Sequence, residues 1–223
     1  LTGIDGYRWS PDGKSIAYWE EDESSVTEFH MINNLSQYPA IHTFRYPKAG
    51  EANPSMKIAL VNINGAGRKW IEKAHVNNDY LPWMEWINNE KIGFMKLSRD
   101  QKKWDIYAAD RTTGKSILIM TETDTKGWLD NHGHIYFLED GKIVWISEKS
   151  GFKHIWMSKH SGSKSWPITQ GKWEVSEIVH IDESKQLIYF IGNRESVYEK
   201  KLYKIRFDGT DLSILTNEEG DHT

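Results

Sequence analysis

Short hydrophobic segments alternate with polar turns along the whole chain, and each segment has the length of a single β-strand. One repeat of this pattern has hydrophobic segments at 91–95, 104–108 and 117–120, with the turn Arg111-Thr112-Thr113-Gly114 between the last two. No stretch shows the spacing of apolar positions that an amphipathic helix requires. The pattern therefore predicts an all-β protein made of antiparallel hairpins.

The hydrophobic segments also recur at a regular distance. Equivalent segments begin at Ile92, Ile143 and Ile188, at spacings of 51 residues (143 − 92) and 45 residues (188 − 143). Propeller blades of four strands repeat at roughly 40–50 residues. An earlier unit begins at Ile16, 76 residues (92 − 16) before Ile92, and so carries an insertion of roughly 25–30 residues relative to that period. We predict a β-propeller of about four blades, each a four-stranded antiparallel sheet, over the approximate ranges 5–73, 80–122, 128–170 and 173–217.

Four dipeptides mark the expected tight turns between strands. Asn-Gly and Asp-Gly are strong hairpin signals because both residue types tolerate the backbone conformation that such turns need. Each of the four lies between two hydrophobic segments: Asp12-Gly13, Asn64-Gly65, Asp140-Gly141 and Asp208-Gly209.

The amino-acid composition limits which types of protein this chain can be. Hydrophobic residues make up 38% of the chain, which includes 11 Trp and 10 Tyr, enough to form a sizeable core. Most tryptophans, such as Trp104, Trp145 and Trp156, fall within strand patterns, and we expect them to pack between blades. The net charge of −4 argues against a nucleic-acid partner. The chain has no cysteine, and no run of 18 apolar residues that could insert directly into a membrane.

Searches for catalytic and ligand-binding motifs give no site. The nucleophile motif Gly-x-Ser-x-Gly is absent, and Gly114-Lys115-Ser116 lacks the earlier glycine of a phosphate-binding loop because position 109 is Ala. Asp130, His132 and His134 suggest a metal site, because the imidazoles of His132 and His134 could converge on one face of a strand. No obvious residue completes a set of four ligands around these two imidazoles. We therefore predict no catalytic residue, no substrate-binding residue, no metal and no cofactor in this chain.

Five motifs in order along the chain carry a family resemblance. They resemble the β-propeller domain of the dipeptidyl peptidase IV branch of the prolyl oligopeptidase family, in a bacterial member. The most specific are Tyr46-Pro47-Lys48-Ala49-Gly50-Glu51-Ala52-Asn53-Pro54 and Thr169-Gln170-Gly171-Lys172-Trp173-Glu174-Val175, and the others are Trp9-Ser10-Pro11-Asp12-Gly13, 100–107 and 147–155.

The resemblance implies a serine peptidase that removes dipeptides from peptide N-termini, with proline or alanine as the second residue. It implies that the catalytic Ser, Asp and His belong to a C-terminal α/β-hydrolase domain of the same polypeptide, which we expect outside this chain. The family's pair of glutamates that binds the substrate amino group would precede Trp9, and residues 1–8 contain no Glu. The chain is then an inactive partial arc of a seven- or eight-bladed ring that gates access of the peptide substrate. The resemblance further implies a periplasmic, secreted or membrane-anchored location outside the cytoplasm.

The insertion in the first unit matches an arm that pairs subunits in dimeric members of the family. It corresponds here to the segment from Val26 to Pro39, so the resemblance implies a homodimer with contacts through Val26, Phe29, Met31, Tyr38 and Pro39. An ordered surface loop without any partner is the alternative for this segment.

A stand-alone propeller that serves as a protein-binding scaffold, as in TolB-like periplasmic proteins, is the alternative for the whole chain. A Gly-x-Ser-x-Gly motif in the coding sequence after Thr223 would favour the peptidase, and an early stop codon would favour the scaffold.

Overall fold

The computed structural model describes residues 6–130, 133–159 and 164–222. These residues form eighteen β-strands and no helix, as the hydrophobic pattern predicts. Accordingly, the described part of the chain has no helix with the length and apolarity needed to cross a lipid bilayer. The chain divides into two compact units, 1–118 and 119–223.

The first unit contains a four-stranded antiparallel sheet, a two-stranded hairpin and most of a second four-stranded sheet. The first sheet has the order β1-β2-β5-β6, the hairpin pairs β3 with β4, and the second sheet has the order β10-β9-β8-β7. The division between the units falls within β10. The strands are β1 (Tyr7–Trp9), β2 (Ser15–Asp22), β3 (Glu28–Asn33), β4 (Ala40–Arg45), β5 (Ser55–Asn62), β6 (Lys69–Val76), β7 (Tyr80–Trp86), β8 (Lys91–Leu97), β9 (Lys103–Asp110) and β10 (Ser116–Thr123).

The second unit contains two further four-stranded antiparallel sheets, with the orders β11-β12-β13-β14 and β15-β16-β17-β18. Their strands are β11 (Ile135–Phe137), β12 (Ile143–Ser147), β13 (His154–Ser158), β14 (Ser165–Pro167), β15 (Val175–Asp182), β16 (Leu187–Gly192), β17 (Lys201–Arg206) and β18 (Ser213–Ile214). Strands that follow one another along the chain are neighbours in these two sheets, which is the meander that a propeller blade requires.

The four predicted turns all join neighbouring antiparallel strands. Gly65 lies between β5 and β6 with φ +77°, and Gly209 lies between β17 and β18 with φ +82°. A side chain at either position would be strained in this left-handed region, so glycine is needed there. In the last turn the Asp208 carboxylate also accepts a hydrogen bond from the Thr210 backbone N–H at 3.0 Å.

Each unit has its own apolar core, formed where two sheets face one another. In the first unit, Ile58 from the first sheet belongs to the same buried cluster as Leu81 and Phe94 from the second. In the second unit, Val144 and Ile155 from one sheet belong to the same buried cluster as Phe190 and Tyr203 from the other. Full burial of a large apolar side chain contributes about 1.5–3 kcal/mol, so these interiors hold the sheets together.

Candidate functional site: the hairpin arm

The predicted insertion in the first unit forms the hairpin β3–β4 between β2 and β5. We call residues 26–46 the arm. Its two strands are in continuous register from the pair Glu28–Arg45 at the base to the pair Asn33–Ala40 near the tip. Neither strand pairs with a third strand in the described part of the chain, so both outer edges of the arm keep free backbone groups.

The base of the arm is fixed by one arginine. Arg45 donates hydrogen bonds from its guanidinium to the carbonyl oxygens of Val26 at 2.5 Å and Ser24 at 3.3 Å, and its Nη2 lies 3.7 Å from the Glu28 carboxylate. The Tyr46 backbone N–H donates to the Thr27 carbonyl at 3.1 Å. The two limbs of the arm are therefore locked together where they leave the sheet.

The loop that follows the arm anchors it to the second sheet. The Arg99 guanidinium donates to the Glu51 carbonyl oxygen, and its Nη1 donates to Asn78 Oδ1 at 3.2 Å. The Asn53 side chain donates to the Asn78 carbonyl at 2.9 Å, and the Glu51 N–H donates to the Lys48 carbonyl at 3.0 Å. The Tyr46–Pro54 motif thus holds the arm in place. The contacts described here are structural and form no catalytic arrangement.

One face of the arm is aromatic. The ring centroids of Phe29 and Phe44, which are paired across the hairpin, lie 5.7 Å apart, and that of Tyr46 lies 6.0 Å from Phe29. Met31 and His42 form the next pair toward the tip on the same side, because side chains two residues apart on a strand share a face. These five residues are the aromatic face.

The opposite face is aliphatic toward the tip. His30 and Thr43 pair across the hairpin, with His30 Nδ1 2.8 Å from Thr43 Oγ1. Ile32 and Ile41 form the pair two positions farther out, and their side chains are 63% and 66% exposed. These four residues are the isoleucine face.

The residues predicted as subunit contacts take different positions. Val26 is only 2% exposed and lies buried at the base of the arm, so it offers no contact surface. Phe29 is half-buried, whereas Met31 is 54% exposed, Tyr38 is 80% exposed and Pro39 is exposed at the tip.

The sequence-based bounds of the arm also missed its return strand. The arm was expected to end at Pro39, but β4 continues it to Arg45 and adds the exposed side chains of Ile41 and Phe44. The alternation of apolar and polar residues over 40–45 is the signal that could have located this strand.

Two of the three suggested metal ligands, Asp130 and His134, lie among the described residues. His132 lies outside the described residues. Asp130 carries its carboxylate 3.5 Å from Lys153 Nζ, and burial lowers the pKa of His134. Over the described ranges, no group of three metal-ligating side chains comes together.

The second specific motif, residues 169–175, contributes to a buried hydrogen-bond network around His154 in the second unit. His154 is 1% exposed, with Nδ1 3.0 Å from Thr169 Oγ1 and Nε2 3.0 Å from the Gly171 carbonyl oxygen. Because the Gly171 carbonyl oxygen can only accept, Nε2 carries the hydrogen. In the neutral ring Nδ1 therefore accepts the proton of Thr169 Oγ1, which itself accepts the Ile155 N–H at 2.9 Å. Burial accordingly lowers the pKa of His154.

Trp173 from the same motif packs against this hydrogen-bond network. The Trp173 ring meets His154 edge-on at 5.1 Å, and its Nε1 donates to the Gln170 carbonyl at 2.9 Å. Gly171 has φ +135°, and a Cβ there would lie 2.4 Å from Trp173 Nε1. The motif therefore reflects packing between two sheets and supplies no reactive group.

Comparisons with known proteins agree with this architecture. The family model described as "Dipeptidyl peptidase IV (DPP IV) N-terminal region" matches residues 2–223. A probable dipeptidyl peptidase 4 from Aspergillus flavus is 27% identical over 227 residues, which cover 94% of this chain and 29% of that protein. The dipeptidyl peptidase 4 of Trichophyton tonsurans is 28% identical over 224 residues, with 94% and 29% covered.

Solved structures show the same fold. The crystal structure of Porphyromonas gingivalis dipeptidyl peptidase 4 matches with a TM-score of 0.85 and 26% identity over 95% of this chain and 30% of that one. A putative dipeptidyl aminopeptidase IV from Bacteroides ovatus gives a TM-score of 0.82 at 19% identity, over 93% and 32%, and supports the fold alone. The chain thus spans about three tenths of the length of the relatives that it matches, and its sheets are blades of a β-propeller. Because the family model covers nearly every residue, the chain belongs to the family of dipeptidyl peptidase IV N-terminal regions.

Proposed function

We propose that this chain is the non-catalytic propeller region of a serine peptidase that releases dipeptides from peptide N-termini, with proline or alanine in the second position. The reacting groups would come from an α/β-hydrolase domain of the same polypeptide. The observation that carries the proposal is the family match over residues 2–223, joined to the structural match with Porphyromonas gingivalis dipeptidyl peptidase 4.

The buried polar groups support a structural role for the chain. A nucleophilic hydrolase needs a nucleophile and a base that the substrate can reach. His154 and Thr169, whose side chains contact each other, are only 1% and 2% exposed. Their buried position supports a role in stabilising the propeller.

The propeller would act as a size filter for peptide substrates. Its blades are closed by internal hydrogen bonds and by buried clusters between sheets, so they form stiff walls. A stiff wall around the approach to a hydrolase admits an extended peptide and excludes a folded protein. The gate then needs no moving lid.

The arm would pair two copies of the protein. Residues 31–46 hold seven large apolar side chains that are at least 40% exposed, among eighteen such side chains in the described residues. Exposed apolar groups concentrated in so short a segment are typical of an interaction surface. The members of this set are Met31, Ile32, Leu35, Tyr38, Ile41, Phe44 and Tyr46.

Two substrates with the same N-terminus test the proposal in the intact protein that carries this chain. One is a short peptide beginning Gly-Pro, and the other is a small stable protein with Gly-Pro as its first two residues. We expect release of Gly-Pro from the peptide and at least tenfold slower release from the folded protein, with the difference lost when the protein substrate is unfolded. Equal rates would contradict the size filter, and no release from either would contradict the peptidase assignment and favour a binding scaffold.

A further inference from the structure

We propose that the first unit binds a small oxyanion of the phosphate class in a cleft between the first and second sheets. The cleft has a volume of about 210 Å³ and lies where the β5–β6 turn of the first sheet faces the β9–β10 turn of the second. The arm leaves the first sheet at its opposite end, between β2 and β5. The site is therefore separate from the arm and from peptide hydrolysis. Its polar lining residues are Ser15, Asn62, Lys69, Arg111 and Thr112.

The charged side chains that line the cleft are both basic. Lys69 and Arg111 each carry a positive charge, and no Asp or Glu is among the described residues that line it. Within the described ranges, the Arg111 guanidinium makes its two hydrogen bonds, to Asp12 and to the Asn89 carbonyl oxygen, through Nη1 alone. The hydrogens on Nε and Nη2 stay available for a ligand. Arginine and lysine are the usual phosphate-binding side chains of proteins, so this lining favours an oxyanion.

Two aspartates close to these cations are held by their own turns. Asp110 accepts hydrogen bonds from the backbone N–H groups of Thr112 and Thr113, at 3.0 Å and 2.7 Å. Asp12 is paired with Arg111 at 2.9 Å, and neither aspartate lines the cleft. Because Asp12 carries a negative charge beside Arg111, removing that charge should strengthen the binding of an anion.

Two uncharged donors lie beside the cations. The Ser15 side chain is buried, and its hydrogen bond to Asn62 Oδ1 is long at 3.4 Å. The other atom of this amide, Asn62 Nδ2, has no acceptor in the described part of the chain. A Cβ at Gly67 would lie 3.0 Å from Nδ2, so glycine keeps the amide accessible. An oxyanion in the cleft would accept hydrogen bonds from both groups, which lack a good acceptor within the protein.

The ligand would also link the two sheets. Lys69 Nζ, from the first sheet, donates to the Thr112 carbonyl oxygen in the second. An anion bound by Lys69 and Arg111 adds another bridge, and a ligand that binds only the folded state raises its stability. Leu60 and Val61 also line the cleft and offer an apolar surface to a small organic group. Inorganic phosphate and a phosphate ester therefore both fit the proposal.

Equilibrium dialysis of the intact protein against radiolabelled inorganic phosphate tests the site. Chloride buffer at constant ionic strength separates specific binding from general attraction between charges. Lys69→Met removes one lining cation and keeps an apolar side chain. Lys73→Met is the matched control, because Lys73 lies on the same strand, is 55% exposed in its side chain and does not line the cleft. Asp12→Asn is the variant of opposite sign, and thermal unfolding confirms that each variant folds.

The proposal expects phosphate to bind at least tenfold more weakly to Lys69→Met, within twofold of the unchanged protein to Lys73→Met, and more tightly to Asp12→Asn. Competition by glycerol 3-phosphate distinguishes the sources: both rankings support the site, and tighter binding than inorganic phosphate identifies an ester as the preferred ligand. Absence of phosphate binding would overturn the proposal. Equal losses in the two lysine variants would also overturn it, because they would indicate attraction to surface charge alone.

Discussion

Asp12 and Arg111 form an ion pair of 2.9 Å between residues that are 99 positions apart, joining the β1–β2 turn of the first sheet to the β9–β10 turn of the second. The same carboxylate accepts hydrogen bonds from Ser10 Oγ at 2.7 Å and from the Lys14 N–H at 3.0 Å. The Ser10 hydrogen bond and the Arg111 guanidinium hold the pKa of Asp12 well below its usual range. The Trp-Ser-Pro-Asp-Gly motif therefore shapes a turn and also links two blades.

Replacing Asp12 by Ala should lower the melting temperature more than replacing Asp100 by Ala. Asp100 makes the same local contacts, with Ser98 Oγ at 2.7 Å and the Lys102 N–H at 3.3 Å, but has no partner from another sheet among its contacts. The difference between the two variants isolates the ion pair, and thermal unfolding measures it. Equal losses would show that Asp12 matters for its turn alone. In a double-mutant cycle, Arg111→Ala should cost less stability in the Asp12→Ala background than in the unchanged protein, where it also breaks the ion pair.

Mild acid should destabilise the protein through His154. Burial lowers the pKa of this histidine below its ordinary value of 6.5, so the folded protein keeps the ring neutral while the unfolded chain binds a proton. The free energy of unfolding should therefore be fully retained above about pH 6.5 and should fall as the pH drops below that value. Urea denaturation at pH 7.5 and pH 5.5 measures the change.

His154→Gln should make this pH dependence shallower, at the cost of a lower stability at pH 7.5. His134→Gln should also make the pH dependence of stability shallower, because burial lowers the pKa of His134 in the same direction. A double variant that still loses stability steeply between pH 7.5 and 5.5 would contradict the assignment to these two histidines.

Gly171→Ala should destabilise the second unit by about 2–4 kcal/mol, because it combines backbone strain with a steric clash. The new Cβ would lie 2.4 Å from Trp173 Nε1 at a φ of +135°. Gly151→Ala is the control, since Gly151 has φ +99° and no atom within 4 Å of a Cβ. Denaturant unfolding should show the larger loss for Gly171→Ala, and similar losses would mean that Trp173 moves aside freely.

Arg99→Ala should loosen the arm without unfolding the sheets. Its guanidinium holds the Glu51 carbonyl and the Asn78 side chain, so its loss frees the loop that anchors the arm. We expect amide hydrogen exchange over residues 28–45 to become about tenfold faster, which corresponds to about 1.4 kcal/mol. Lys96→Ala removes the nearby 3.3 Å ion pair with Asp79 and should leave exchange in the arm unchanged. Faster exchange in both variants would indicate a general loss of stability.

Local turn chemistry was the most predictable part of the fold. Gly65 and Gly209 adopt the left-handed conformation that their dipeptides predict, because the preference is set by neighbouring residues alone. The strands around Ile92, Ile143 and Ile188 were equally clear. The opening strands of two of these sheets were harder to locate, since β7 and β15 contain register shifts that interrupt the alternation of apolar and polar side chains.

The arm was predictable in existence but not in detail. The blade period revealed an insertion, yet the burial of Val26 depends on the folded structure around it and cannot be predicted from its neighbours in the sequence. The contacts of Arg99 and Asn53 with Asn78 join residues that are 21 and 25 positions apart, so no local pattern points to them. The same holds for His154 and Thr169, which are 15 positions apart and lie close together because β13 and β14 pair.

The most direct test of the central claim is the rate at which the purified chain, residues 1–223, hydrolyses a Gly-Pro chromogenic dipeptide, compared mole for mole with the intact protein that carries it. The account predicts turnover by the intact protein and none by the folded chain alone. Turnover by the chain alone, retained through repeated purification, would contradict its assignment as the non-catalytic propeller region of a peptidase.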